Sequence, residues 1–166
     1  MKNLFKIIFV LTVFSCLFSG CKKYPEDDKR YLFKSPEKRL VGTWRIAKYY
    51  INGADSTDFL YRQYIGAPDY QYGVIALKIS KVNGDPGDNS SIYNITVVGI
   101  GSAGGGMGLK KGKNYLNLGI GSLYGASPIY NPFINMSNWE IRELTNNAFK
   151  IKSNIGGVNY RVEFDK

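Results

Sequence analysis

The chain has 166 residues and a formal net charge of +9, from 22 Lys and Arg against 13 Asp and Glu, with no His. The lack of histidine, with cysteine only at Cys16 and Cys21, excludes histidine-based triads, ordinary zinc sites and thiol catalysis in the body of the chain. The basic residues are scattered, with only Lys110, Lys111 and Lys113 close together, and the recognition motifs of nucleic-acid binders are missing, so no nucleic-acid partner is expected.

Residues 1–20 carry a basic start (Lys2, Lys6), the apolar run "IIFVLTVFSCLF" and small residues before Cys21. That is the pattern of a secretory signal peptide, too short in its apolar core to span a bilayer, which needs about 20 apolar residues. Its end, "LFSGC", resembles a bacterial lipobox, in which cleavage before the cysteine leaves that cysteine to carry lipid. The resemblance implies a chain lipidated at Cys21, held on a membrane without crossing it, and located in the cell envelope, at the outer membrane. Loss of Lys2 and Lys6 would leave 20 basic against 13 acidic residues, a net charge of +7. Cys21 would then be the sole cysteine, so a disulfide within the mature chain is excluded and the domain must rest on its core.

Residues 21–39 are the cysteine and, after it, "KKYPEDDKRYLFKSPEKR" at 22–39, dense in both signs of charge and without an apolar period. They read as a flexible tether with a reach of about 20 to 25 Å. "EDD" at 26–28 loosely resembles the acidic export signals of some surface lipoproteins, but a solvated charge run is the preferred reading.

Residues 40–166 are the right size for one domain with its own core. Their apolar period is two, which predicts strands. The first, "GTWRIAKYYI", starts at Gly42 and carries Trp44 and Ile46 inward. Asp55 and Ser56 are placed to cap a short helix through "TDFLYRQY". In "GVIALKISKV" Leu77 and Ile79 share a face, in "IYNITVVG" Ile95 does so with its alternates, and "NYLNLGI" places Leu116, Leu118 and Ile120 together. "NWEIREL" with Trp139, "AFKIKS" with Phe149 and "VNYRVEFDK" with Tyr160 and Phe164 complete a meander, joined by turns at "TNN" and "NIGG". The core expected from this alternation is Trp44, Ile46, Leu77, Trp139, Phe149, Tyr160 and Phe164, with Glu140, Arg142, Lys150, Lys152, Arg161 and Glu163 on a wet face. The fold class is all-β: a single antiparallel β-barrel or closed meander of about 7–9 strands.

Two stretches invite chemistry. "VVGIGSAGGGMG" spells G-x-G-x-x-G at Gly99, Gly101 and Gly104, yet no helical period follows and no acid lies about 20 residues on, as a dinucleotide fingerprint requires. Residues 99–112 are instead expected to be a flexible connection between strands, with Gly119 and Gly121 permitting a bend or close backbone approach. "NGDPGDNSS" offers Asp85 and Asp88 without the oxygen spacing of a calcium loop and reads as a turn. No cofactor or metal is expected, and the chain is read as non-catalytic.

Gly42, Thr43 and Trp44 spell the G-x-W of the first lipocalin strand, and "WEIRELTNNAFKIKSNIGGVNYRVEFDK" is similar to the closing strands of small lipocalin-like lipoproteins of Gram-negative bacteria. The resemblance implies a lipocalin-like barrel in which Trp44 plugs the closed end beneath an arginine, for which Arg142 and Arg161 are the candidates. It also implies a small apolar or amphipathic ligand at the barrel, for which the loop aromatics Tyr124, Tyr130 and Phe133 are the candidate contacts. The alternative is a filled barrel that acts as an envelope or surface interaction module, recognising a protein or a glycan. The bulk of the inward residues favours the second reading.

Overall fold

The computed structural model describes residues 23–27, 34–65, 76–82, 91–98, 103–110, 112–120, 133 and 137–166, with only the backbone of 63–65, 91–98, 103 and 104. The signal peptide with Cys21, the turn at 83–90, Gly99, Gly101, Tyr124 and Tyr130 lie outside the described residues, as does the side chain of Ile95.

In chain order the elements are α1 (Pro36–Leu40), β1 (Gly42–Ile51), β2 (Ala54–Asp55), α2 (Thr57–Ile65), β3 (Ala76–Lys81), β4 (Ser91–Val98), β5 (Ala103–Leu109), β6 (Tyr115–Ile120), β7 (Ser137–Leu144), β8 (Ala148–Ile155) and β9 (Val158–Asp165). All strands belong to one antiparallel sheet in the order β2-β1-β3-β4-β5-β6-β7-β8-β9, so the all-β antiparallel expectation holds at that level. β1 pairs through residues 42–45 with β3 and through residues 45–51 with β9, which hydrogen-bonds the first long strand to the last.

Turn chemistry sets the hairpins. Between β1 and β2, Asn52 (φ 50°) and Gly53 (φ 85°) form a two-residue turn, and Gly156 and Gly157 (φ 61° and 83°) do the same between β8 and β9. Both central residues have positive φ, the geometry that matches the twist of paired strands and that Asn-Gly and Gly-Gly accept.

One face of the sheet forms the core. Trp44, Ile46, Leu77, Trp139, Phe149, Tyr160 and Phe164 are all at most 5% exposed, with Tyr49, Met107, Leu116, Ile141 and Val162 among them. Phe149 stacks on Phe164 at 5.1 Å between ring centroids and meets Trp44 at 5.6 Å. α2 lies over this face, and its Tyr61 is fully buried, with its hydroxyl donating to the Ile46 carbonyl (2.7 Å). The Asp55 carboxylate accepts from the Thr57 amide (3.0 Å) and hydroxyl (2.5 Å), which fixes the start of α2 as the sequence suggested.

Three expectations are corrected. The glycine-rich segment is not a connection throughout: "AGGGMGL" is strand β5, paired with both β4 and β6. Gly104 therefore leads into a strand rather than into the helix that a nucleotide fingerprint opens. The reason for glycine here is closeness, since a Cβ at Gly105 would lie 2.3 Å from the Gly119 carbonyl oxygen and 2.9 Å from the Ile120 Cα. Gly119 does provide the close backbone approach read from the sequence, with β5 as the segment that approaches.

The second correction concerns Trp44. Arg142 and Arg161 point to the outer face, and the cation over the Trp44 ring is Lys166 Nζ, 4.4 Å from the centroid. The Trp44 indole N–H donates to the Leu40 carbonyl (2.7 Å), so α1 and the last residue of the chain cover this side chain together. Local alternation already assigned both arginines outward, and Lys166, which directly follows β9, supplies the cation over the ring instead.

The third is the tether. Within residues 23–27, Tyr24 and Asp27 are packed against the sheet, each 1% exposed, and Glu26 is partly covered, while Lys23 and Pro25 stay exposed. The Tyr24 hydroxyl donates to the Lys113 carbonyl (2.7 Å), the Glu26 amide to the Arg142 carbonyl (2.8 Å), and the Leu144 amide to Asp27 Oδ1 (3.0 Å). Glu26 bridges Arg142 (2.9 Å) and Arg161 (2.8 Å). A charge run read as solvated thus has its own counter-charges on β7 and β9.

That bridge has a pH signature. Burial raises the Glu26 pKa, but the hydrogen bond from Arg142 and the charges of Arg161 and Arg142 outweigh it, and the net shift is downward from 4.5. A carboxylate with a lowered folded pKa contributes stability that is present above 4.5 and lost as pH falls through the lower folded value. A carbon-detected NMR titration of the Glu26 carboxyl is expected to give a midpoint below 4.5, moving upward in Arg142→Gln. A midpoint at or above 4.5 in the unaltered protein would contradict the bridge.

Candidate functional site

The outer face of β6, β7, β8, β9 and β1 holds a groove of about 830 Å³. Its floor is a single cross-strand row, because the register sets Tyr50 opposite Arg161, Arg161 opposite Lys152, Lys152 opposite Glu140 and Glu140 opposite Tyr115. Four interstrand steps of about 4.8 Å make the row about 20 Å long as measured along the sheet. Asn138, Asn154, Asn159 and Ser153 line the groove beside this row.

A β-bulge puts Tyr50 there. The register of β1 against β9 shifts between Ile46 and Lys48, so Ala47 is the extra residue and the alternation changes phase. Tyr49 consequently turns inward, stacked on Tyr160 at 6.3 Å, while Lys48 and Tyr50 face out. A second shift, between Ile141 and Glu143 in β7, sends both Arg142 and Glu143 outward. Strict period-two reading places Arg142 outward but misses Tyr50 and Glu143. The only sequence signals were the adjacent tyrosines and the paired charges "REL".

The charges of the row are largely matched to each other. Glu140 holds Arg142 (2.7 Å) and Lys152 (3.1 Å), and Arg161 holds Glu26 (2.8 Å) and Glu163 (2.9 Å). Burial acts to raise the Glu140 pKa, yet the hydrogen bonds from Arg142 and Lys152 win and lower it, which keeps the carboxylate ionised. The groove therefore offers amide, guanidinium and ammonium donors and carboxylate acceptors with little net charge. Tyr115, 49% exposed, adds a ring at one end.

Of the loop aromatics expected to touch a ligand, Phe133 is described. It is 3% exposed and stacks on Trp139 at 5.1 Å, within the core and away from the groove. Among the described residues no three carboxylate, cysteine or histidine side chains converge as a metal site would need, and no helix is long and apolar enough to cross a membrane.

No family model, curated protein or solved structure matches the chain.

Proposed function

We propose that this protein is a non-catalytic cell-envelope protein, anchored by lipid at Cys21, that recognises a saccharide in the groove outside β6–β9 and β1. Its sheet is read as a lipocalin-like barrel with a filled interior. Pairing of β1 with both β3 and β9 supports this reading, as does the covering of Trp44 by α1 and Lys166 at one end of the sheet. The sequence "LFSGC" supports the anchor.

The observation that carries the reading is the row from Tyr50 to Tyr115 over a core already filled by Trp44, Trp139, Phe149, Tyr160 and Phe164. With that much side-chain bulk inside, a small apolar ligand has less claim on the interior than a polar one has on the groove. Tyrosine rings present apolar area with a polar edge, suited to the C–H face of a pyranose, and the amides and ion pairs supply donors and acceptors for its hydroxyls. A protein partner is less suited, because stable interfaces bury about 800 Å² per side around an apolar centre. Among the described residues the exposed large apolar side chains are Val41 and Tyr115 alone.

An array of envelope and plant oligosaccharides, followed by calorimetric titration of any ligand found, tests this. Tyr50→Ala and Tyr115→Ala are each expected to weaken binding about twofold to tenfold, the range that one aromatic contact supplies. No bound oligosaccharide, or a bound one indifferent to both changes, would sink the reading.

A further inference from the structure

The packed N-terminal residues also fix where the chain meets its anchor. Lys23 Nζ donates to the Gly112 carbonyl (2.8 Å) and the Tyr24 hydroxyl to the Lys113 carbonyl, so residues 23 and 24 are tied to the turn between β5 and β6. Cys21 precedes Lys23 by two residues, which covalent geometry limits to about 7 Å of Cα separation. A lipid on Cys21 would thus emerge beside that turn, far inside the 20 to 25 Å radius of a free tether.

The turn lies at one end of the sheet. At the same end are the start of β1, the ends of β3, β7 and β9, and α1, whose Arg39 guanidinium donates to the Leu144 carbonyl. Exposed lysines gather here: Lys23, Lys34, Lys38, Lys81, Lys110 and Lys166. Among the described residues the acids near this end are Glu37, held by Lys113 at 2.6 Å, Glu143, held by Lys150 at 2.7 Å, buried Asp27 and the exposed Asp165. The opposite end, with the Asn52-Gly53 turn and the start of α2, exposes Asp55 and Asp58 beside Arg62 and Lys48.

From this coincidence of chain start and charge we propose that the α1 end is a membrane-docking surface, on which the anchored domain stands against anionic lipid headgroups with its groove held outward. The inference rests on the lipid-anchor reading and adds an orientation to it. Each lysine near an anionic surface favours binding by about fivefold. Burial first, and then the charge of Lys34, lower the pKa of Lys166, so the two lysines are close enough to repel each other. The free edge of the groove, with Tyr50, Gly53, Asn154 and Asn159, lies toward the other end, where a saccharide has access.

The test uses the mature acylated protein in vesicles of phosphatidylcholine and phosphatidylglycerol that carry a headgroup-attached quencher, with one fluorophore at Lys110→Cys or at Asn154→Cys. Most of the emission is expected to be lost at position 110 and little at 154. Equal quenching, or the reverse, in a protein whose mass shows the acyl chains overturns the orientation alone. A mass without acyl chains overturns the orientation together with the anchor reading. As an independent readout, Cys21→Ser protein should bind phosphatidylglycerol vesicles in a salt-sensitive way, about fivefold more weakly for each of Lys34→Gln and Lys110→Gln. Binding unchanged by both substitutions also overturns the proposal.

Discussion

Replacing Trp44 with alanine is expected to lower the stability of the domain by about 3 to 5 kcal/mol, a large share of the 5 to 15 kcal/mol typical of a whole domain. The side chain is fully buried, packs on Phe149, and donates its indole N–H to the Leu40 carbonyl. Truncation would therefore open a cavity, strip a partner from α1 and leave Lys166 with no ring beneath it. Chemical denaturation read by the fluorescence of the remaining Trp139 measures the loss. Trp44→Phe, which retains a ring but lacks the N–H, should fall between the two, and an alanine variant with an unchanged midpoint would place Trp44 outside the core.

The second large effect is expected at a residue without a side chain. Gly105→Ala would push a Cβ to 2.3 Å from the Gly119 oxygen, so β5 and β6 would have to separate, and both are backbone with no rotamer to relax. Overpacking of this kind costs about 1 to 3 kcal/mol, and Gly105→Val should cost more. Gly106→Ala is the internal control. It lies in the same strand, one residue on, with nothing within 4 Å of the added Cβ, so it should be near neutral and slightly favourable through the unfolded chain. Equal melting temperatures for Gly105→Ala and Gly106→Ala would refute the close approach of the two strands. Removal of one residue from β5 should also be damaging, because a slip of one position turns every side chain of a strand to the other face. Met107 and Leu109, both 1% exposed, would then point to solvent.

The sequence by itself determined much of the sheet. Alternation located the long strands at both ends of the domain, and Trp44, Ile46, Leu77, Trp139, Phe149, Tyr160 and Phe164 are buried as it proposed, because a strand with one wet face must place its apolar side chains two apart. It also located the start of α2, since Asp55 caps through contacts only two residues away. Those are local effects, carried by neighbours along the chain.

Tertiary structure decided what depends on partners distant in sequence. Glycine-rich β5 has no period of its own and becomes a strand because β4 and β6 supply its hydrogen bonds and because the absence of a Cβ lets Gly119 come close. Residues 23–27 look like a solvated charge run until Arg142 and Arg161, more than 100 positions away, meet Glu26. The outer groove exists because the bulge at Ala47 turns Tyr50 outward, and no residue-by-residue alternation contains that phase change. Register between strands is an energy shared by two segments, so neither segment alone encodes it.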